Sequence, residues 1–121
     1  MQAVHLIADL YQCRCERSWL TDGMRLRAAA AQVLDVCGLR PAGGECFVSL
    51  AHGGLAGAVL ADSAQLTLRT WPAERSVALD LWMAAATEDE RALARRVVDA
   101  LGELFEPEWT EQRSLDRGED A

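Results

Sequence analysis

Ser76-Val-Ala-Leu-Asp-Leu-Trp-Met-Ala84, followed shortly by Thr87-Glu-Asp-Glu90, is the stretch that decides how this chain folds. Side chains alternate along an extended strand. Val77, Leu79, Leu81 and Met83 therefore share one face, and Ala78, Asp80, Trp82 and Ala84 share the other. Thr87 and Glu90 have the spacing of a capping box, in which the threonine hydroxyl takes the Glu90 amide while the Glu90 carboxylate reaches back. A helix opens there, with Leu93, Val97, Leu101 and Leu104 as its buried stripe and Arg91, Arg95 and Arg96 mostly outside. The pair reads as a strand feeding a helix that lies back on the sheet.

Working outward toward the N-terminus, residues 72–75 form a turn, introduced by Pro72. Residues 55–61 and 65–71 read as one long strand or two collinear pieces, with Asp62-Ser63-Ala64 between them. His52-Gly-Gly54 turns the chain, residues 46–51 make a strand, and Pro41-Ala-Gly-Gly44 is a turn. Thr21 or Asp22 is the N-cap of a helix over 24–37, which carries Met24, Val33, Leu34 and Cys37 at helical spacing and stops at Gly38. A loop precedes it. Residues 4–11 are a strand with Val4, Leu6, Ala8 and Leu10 on one face and His5, Ile7, Asp9 and Tyr11 on the other. Toward the C-terminus, a short strand is expected over 108–113, after Pro107. This order specifies an α+β two-layer sandwich, a mainly antiparallel sheet with two helices on one face. The domain spans 1–106, and an acidic segment occupies 107–121. A sheet covered on one side leaves a second, partly apolar face, which a second copy of the chain would cover as a homodimer.

Composition narrows the function. The 121 residues include 12 basic and 19 acidic side chains, a net charge of −7, and 50% are apolar, as in a folded globular chain. Seven acids against two arginines in the last 19 residues supply −5 of that charge. The acid excess speaks against a nucleic-acid partner, which needs a basic face. All the basic residues are arginine, so neither a Schiff-base lysine nor a phosphate-loop lysine is available. No apolar run approaches a membrane span, and residues 1–10 lack the pattern of an export signal, so the expected compartment is the cytoplasm, without membrane association. Cys13, Cys15, Cys37 and Cys46 do not have the spacing of a zinc knuckle and read as reduced thiols, buried as small hydrophobes. No metal is expected.

The landmarks His5-Leu-Ile-Ala-Asp-Leu-Tyr-Gln-Cys13, Gly54-Leu-Ala-Gly57, Leu60-Ala-Asp-Ser63, Thr70-Trp-Pro72 and Ala78-Leu-Asp-Leu-Trp82 follow in this order and spacing. Together they resemble the small bacterial and archaeal S-adenosylmethionine decarboxylases, from about His5 to Leu104 and faintly on through Asp116-Arg-Gly118. The resemblance implies a proenzyme that cuts itself at a Glu-Ser bond. The serine becomes a pyruvoyl group, the electron sink for making the aminopropyl donor of spermidine.

The residues carrying that chemistry in the family are replaced here. Counted back from Thr70-Trp-Pro72, the precursor serine falls on Ala64, the glutamate before it on Ser63, and the later histidine on Arg69. The glutamate that holds the ribose falls on Ala73, with Glu74 one place late; the second processing serine falls on Ala56, the catalytic cysteine on Ala84, and the adenine-stacking phenylalanine on Leu50. His5, Phe47, the Thr-Trp-Pro turn and Asp80 survive.

Two functional expectations follow, from different classes. One is a family member that has lost self-processing: an uncleaved, pyruvoyl-free homodimer serving as a binding or regulatory protein linked to polyamine metabolism. Its candidate ligand-binding residues are Arg69, Asp80, Trp82, Trp71 and Phe47, and it needs no cofactor. The other is an active pyruvoyl-dependent decarboxylase that cuts between Asp62 and Ser63 and draws its pyruvoyl from Ser63, with His5 and Arg69 as the remaining catalytic candidates. Against the second, an arginine cannot serve as a base near neutral pH, and a one-residue slip along a strand turns a side chain to the opposite face. A third possibility is a partner subunit that forms a heterodimer with an intact family member. Arg69 and Asp80 read as a structural ion pair in the sheet or as part of an anion or amino-acid site. His5 reads as a neutral core or dimer-face histidine, and His52 as an exposed turn residue.

Overall fold

The alternation expected over 76–84 is realised residue for residue: β5 (Ser76–Ala84) buries Val77, Leu79, Leu81 and Met83 and leaves the intervening side chains half-buried. The computed structural model describes residues 1–118; the tail acids Glu119 and Asp120 lie outside the described residues. Five further strands are β1 (Gln2–Tyr11), β2 (Cys46–Ser49), β3 (Leu55–Leu60), β4 (Ala64–Trp71) and β6 (Trp109–Gly118). The helices are α1 (Ser18–Thr21), α2 (Gly23–Val36) and α3 (Glu88–Glu103), and a 3-10 turn covers Pro72–Glu74. The strands form one sheet in the order β2-β3-β4-β5-β1-β6, with every neighbouring pair antiparallel. α2 and α3 cover one face, giving the two-layer α+β sandwich. No helix among the described residues is long and apolar enough to cross a membrane.

β3 and β4 are not collinear. They form a hairpin in which Leu60 faces Gln65, and the Ala61 amide donates to the Ala64 carbonyl across the turn (2.8 Å). Asp62 and Ser63 belong to that turn, where short polar side chains favour reversal of the chain. The hairpin sets β4 between β3 and β5, so the segment is a sheet centre rather than one long edge.

The helices form where their signals stand, but their buried faces differ from the expectation. Asp22 caps α2, its carboxylate accepting from the Met24 and Arg25 amides. Gly38, at φ +82°, ends it: the Gly38 amide donates to the Asp35 carbonyl and the Leu39 amide to the Leu34 carbonyl, satisfying the last turn. The face turned to the sheet is Leu26, Ala30 and Leu34, while Met24 is 84% exposed. Successive fourth residues align on a helix, and Met24 falls outside that line. α3 has the full Thr87–Glu90 capping box and buries Ala94, Val97, Val98, Leu101 and Gly102, with Leu93 and Leu104 only partly covered. Small residues at 94 and 102 let this helix sit close on the sheet.

Three further differences concern segments without a strong period. Residues 18–21, read as loop, make one helical turn, and β2 stops at Ser49. β6 runs ten residues, antiparallel to β1 from Gln2↔Gly118 to Tyr11↔Trp109. Its alternation is masked because all ten of its residues are exposed. Of the thiols, Cys13 and Cys15 are buried, whereas Cys46 is exposed and Cys37 half-buried, so burial does not account for all four.

Candidate functional site

The strand registers assemble the site on the sheet face that carries no helix. One row across it runs Glu111–Asp9–Ala78–Arg69–Ala56–Val48, and the next Arg113–Ile7–Asp80–Thr67–Ala58–Cys46. The third runs Leu115–His5–Trp82–Gln65–Leu60. Arg69 thus rises beside alanines at 56 and 78, and small side chains open space around its guanidinium. Cys46, Ala56, Gly57, Ala58, Thr67, Arg69, Ala78 and Asp80 line a cavity of about 390 Å³ there. His5, Gln65, Thr67, Asp80, Trp82 and Arg117 line an adjoining one of about 290 Å³. Thr67 and Asp80 belong to both, so the two hollows form a continuous trough over the sheet centre.

Charge within the trough is divided unequally. The expected Arg69–Asp80 ion pair does not form. Asp80 Oδ1 instead lies 3.3 Å from His5 Nε2, on the strand to its other side. Asp80 sits between Ile7 and Thr67, so His5 and Arg69 each stand on a diagonal two residues along β1 and β4, and the carboxylate takes the His5 side. Arg69 has no ion-pair partner among the described residues. A lone guanidinium with a carboxylate one diagonal away suits a ligand bearing an anionic group, or a zwitterion placed between the two.

The structure brings Arg69, Asp80, Trp82 and His5 onto this face and separates the other candidates from them. Phe47 belongs to the opposite, helix-covered side: it faces Gly57 across the register, and a Cβ at Gly57 would stand 2.2 Å from its ring. Its ring occupies the volume that glycine vacates and helps line a cleft with Gly23 and Met24. Phe47, expected among the ligand-binding residues, is therefore not part of the trough; its ring packs against Gly57. Trp71 points to the trough side but sits at the far end of β4 opposite Ser76, outside both hollows. Asp62 and Ser63 lie in the β3–β4 turn, where the Ser63 carbonyl accepts from the Ala84 amide (2.8 Å).

Thr67, Gln65, Cys46 and Arg117 line the trough and were not singled out in the sequence. The alternation of β4 places Gln65 and Thr67 beside Arg69, so that signal was present. Arg117 is supplied by β6, and nothing local tells that this segment pairs with β1.

The Thr-Trp-Pro turn has a structural function. Thr70 is fully buried; its hydroxyl donates to the Leu20 carbonyl (2.7 Å) and accepts from the Leu55 amide (2.9 Å), joining β4 to α1 and β3. The Thr70 carbonyl lies where a Cβ at Gly54 would be, 2.2 Å away, so the turn before β3 needs glycine.

A six-stranded antiparallel sheet with helices on one face and a trough on the other defines a two-layer α+β protein. The model of the S-adenosylmethionine decarboxylase family matches residues 4–118, and the chain belongs to that family. The fold is similar to that of the adenosylmethionine decarboxylase from Aquifex aeolicus VF5, with a TM-score of 0.83 over 98% of this chain and 92% of that one, at 18% identity. No curated protein matches the chain.

Proposed function

We propose that this chain is a member of the S-adenosylmethionine decarboxylase family that does not cut itself and carries no pyruvoyl group. It acts instead as a binding or regulatory protein of polyamine metabolism. The observation that carries this reading is the set of alanines at 56, 64 and 84, where the family motif has two serines and a cysteine. Their places in the fold support it. Ala56 stands opposite Arg69 in the trough, Ala64 is buried opposite Met83, and Ala84 ends β5 beside the turn. Ser63 lies in the β3–β4 turn, the places of the family's histidine and second serine are held by Arg69 and Ala56, and a guanidinium cannot take a proton near neutral pH. These residues do not fit a pyruvoyl-forming site.

In this reading the ligand is anionic or an amino acid and is held by Arg69 and Asp80, with Trp82 as a wall of the trough. The chain works in the cytoplasm as a homodimer, in which the face bearing His5, Ile7 and Trp82 is covered by a second copy. Intact-mass measurement of the purified protein tests the reading. A single full-length mass is the expected result. Fragments of 62 and 59 residues, from cleavage between Asp62 and Ser63 of the 121-residue chain, would overturn it in favour of an active decarboxylase.

A further inference from the structure

β6 is the last strand of the sheet, paired on one side only, with β1. All ten of its residues are exposed, and it contains neither a proline nor an interruption of its register with β1. Such an edge offers a row of unpaired backbone donors and acceptors to any further strand. Helix α3 packs mainly on β1 and β5 and meets β6 through side chains, Arg91 with Asp116 and Asp99 with the Gln112 amide (3.2 Å), which leaves the outer backbone edge of the strand open. The exposed large apolar residues of the chain include one near each end of this strand, Trp109 and Leu115, both 49% exposed.

The sequence of the strand is complementary to itself. Read outward from Gln112 in Trp109-Thr-Glu-Gln-Arg-Ser-Leu115, Glu111 mirrors Arg113, Thr110 mirrors Ser114 and Trp109 mirrors Leu115. Two copies running antiparallel with Gln112 on the twofold axis therefore place opposite charges, hydroxyls and apolar groups face to face over 109–115, each pair twice over, and the next pair out sets Asp116, which Arg91 neutralises, against Glu108. Neighbouring registers that keep the same sheet face together do worse. Centring on Glu111 or Arg113 sets like charges opposite each other, and centring on Ser114 sets Arg113 against Leu115 and leaves Trp109 opposite a residue beyond β6. Within one chain Trp109 already stacks on Tyr11, with ring centroids 4.1 Å apart. The partner's Leu115 would extend that apolar strip across the junction. Asp116, the acid on the other face, is held by Arg91 of α3.

We infer that β6 is a self-association edge, joining two copies of this chain through antiparallel β6–β6 pairing centred on Gln112 into one continuous sheet. The inference is independent of the proposed function. It uses the sheet edge, an interface separate from the trough face that the proposed homodimer covers.

Cysteine cross-linking of the full chain reads the register. In a Cys37→Ser, Cys46→Ser background, Gln112→Cys brings two thiols together at the axis, with Cα atoms roughly 4.5–5.5 Å apart, within disulfide reach. Ser114→Cys separates them by roughly 13 Å along the strand. A disulfide-linked dimer through 112 and not through 114 is expected on mild oxidation. In sedimentation equilibrium, Glu111→Arg and Arg113→Glu each weaken this association by about tenfold, and the double reversal restores it. Absence of the 112 link, a faster link through 114, or a double variant that associates no better than the singles would overturn the inference. Because Glu111 also lies 3.9 Å from Arg113 within one chain, urea midpoints of the single variants, expected to match the parent, separate lost association from lost folding.

Discussion

His5 Nε2 lies 3.3 Å from Asp80 Oδ1, and this contact across β1 and β5 is what leaves Arg69 without a carboxylate partner. Both side chains keep partial access to solvent, 24% for His5 and 43% for Asp80, so the pair contributes little to stability. Its consequence is positional. It anchors the one carboxylate that the two trough hollows share.

With S-adenosylmethionine as the amino-acid probe of the proposed site, Arg69→Ala is expected to weaken binding by about tenfold, the worth of a charge-assisted hydrogen bond. The same substitution is expected to change unfolding free energy by less than about 0.5 kcal/mol, because the exposed guanidinium has no ion-pair partner to lose. Isothermal titration calorimetry and urea denaturation check the two arms. Equal affinity in the two proteins would remove Arg69 from the site.

Thr70 is a more sensitive position. Thr70→Val keeps the shape but strands a buried amide at Leu55 and a carbonyl at Leu20, each of which now bonds the hydroxyl. The expected loss is about 2–4 kcal/mol. Thr70→Ser keeps both bonds and is expected to cost about 1 kcal/mol, for the methyl group alone. Urea midpoints of the two variants rank them, and a Thr70→Val protein as stable as the serine variant would contradict the role assigned to the hydroxyl.

The contact between Gly57 and Phe47 gives a coupled pair. A methyl group at 57 would stand 2.2 Å from the Phe47 ring, so Gly57→Ala is expected to destabilise by about 1–3 kcal/mol. In a Phe47→Leu background, where the ring is gone, the same change is expected to cost less. A double-mutant cycle measures the difference, and strict additivity would show that ring and glycine do not meet.

The thiols predict a pH dependence. Burial raises the Cys13 pKa to about 11, with the neighbouring Cys15 adding to the shift and Arg75 opposing it. Cys15 is also raised, mainly by burial. A folded thiol that holds its proton more tightly than the unfolded one contributes stability at neutral pH. That contribution is lost as pH rises from the ordinary thiol value of 9.0 through about 11. Urea midpoints are therefore expected to fall over that interval, and to fall less in Cys13→Ala. At pH 8 an alkylating reagent is expected to label the exposed Cys46 readily and Cys13 and Cys15 only after unfolding, as peptide mapping would show.

Much of the fold was legible because its signals are local. The two-residue alternation of β1 and β5, the capping box at Thr87, the Asp22 cap and the stop at Gly38 each act within a few residues, and each stands where it was read. The β3–β4 hairpin was misread because two apolar runs around Asp62-Ser63 look the same whether the chain continues or reverses. β6 was shortened because a strand exposed on both faces has no apolar period to read. In the candidate site, Arg69, Asp80 and Trp82 share a face by alternation alone, whereas Phe47 was assigned to them by resemblance and lies on the other side.

By itself the sequence determined the elements, the family motif and the alanines that replace its reactive groups, since composition and short-range periodicity are properties of the chain. Tertiary structure decided which residues meet. Strand order and register cannot be read from one segment, because backbone pairing is nearly indifferent to side-chain identity and is fixed by what the whole sheet buries. That is why His5, Asp80 and Arg69 meet on one face, why Arg117 joins the trough from the far end of the chain, and why β6 is left with an open edge.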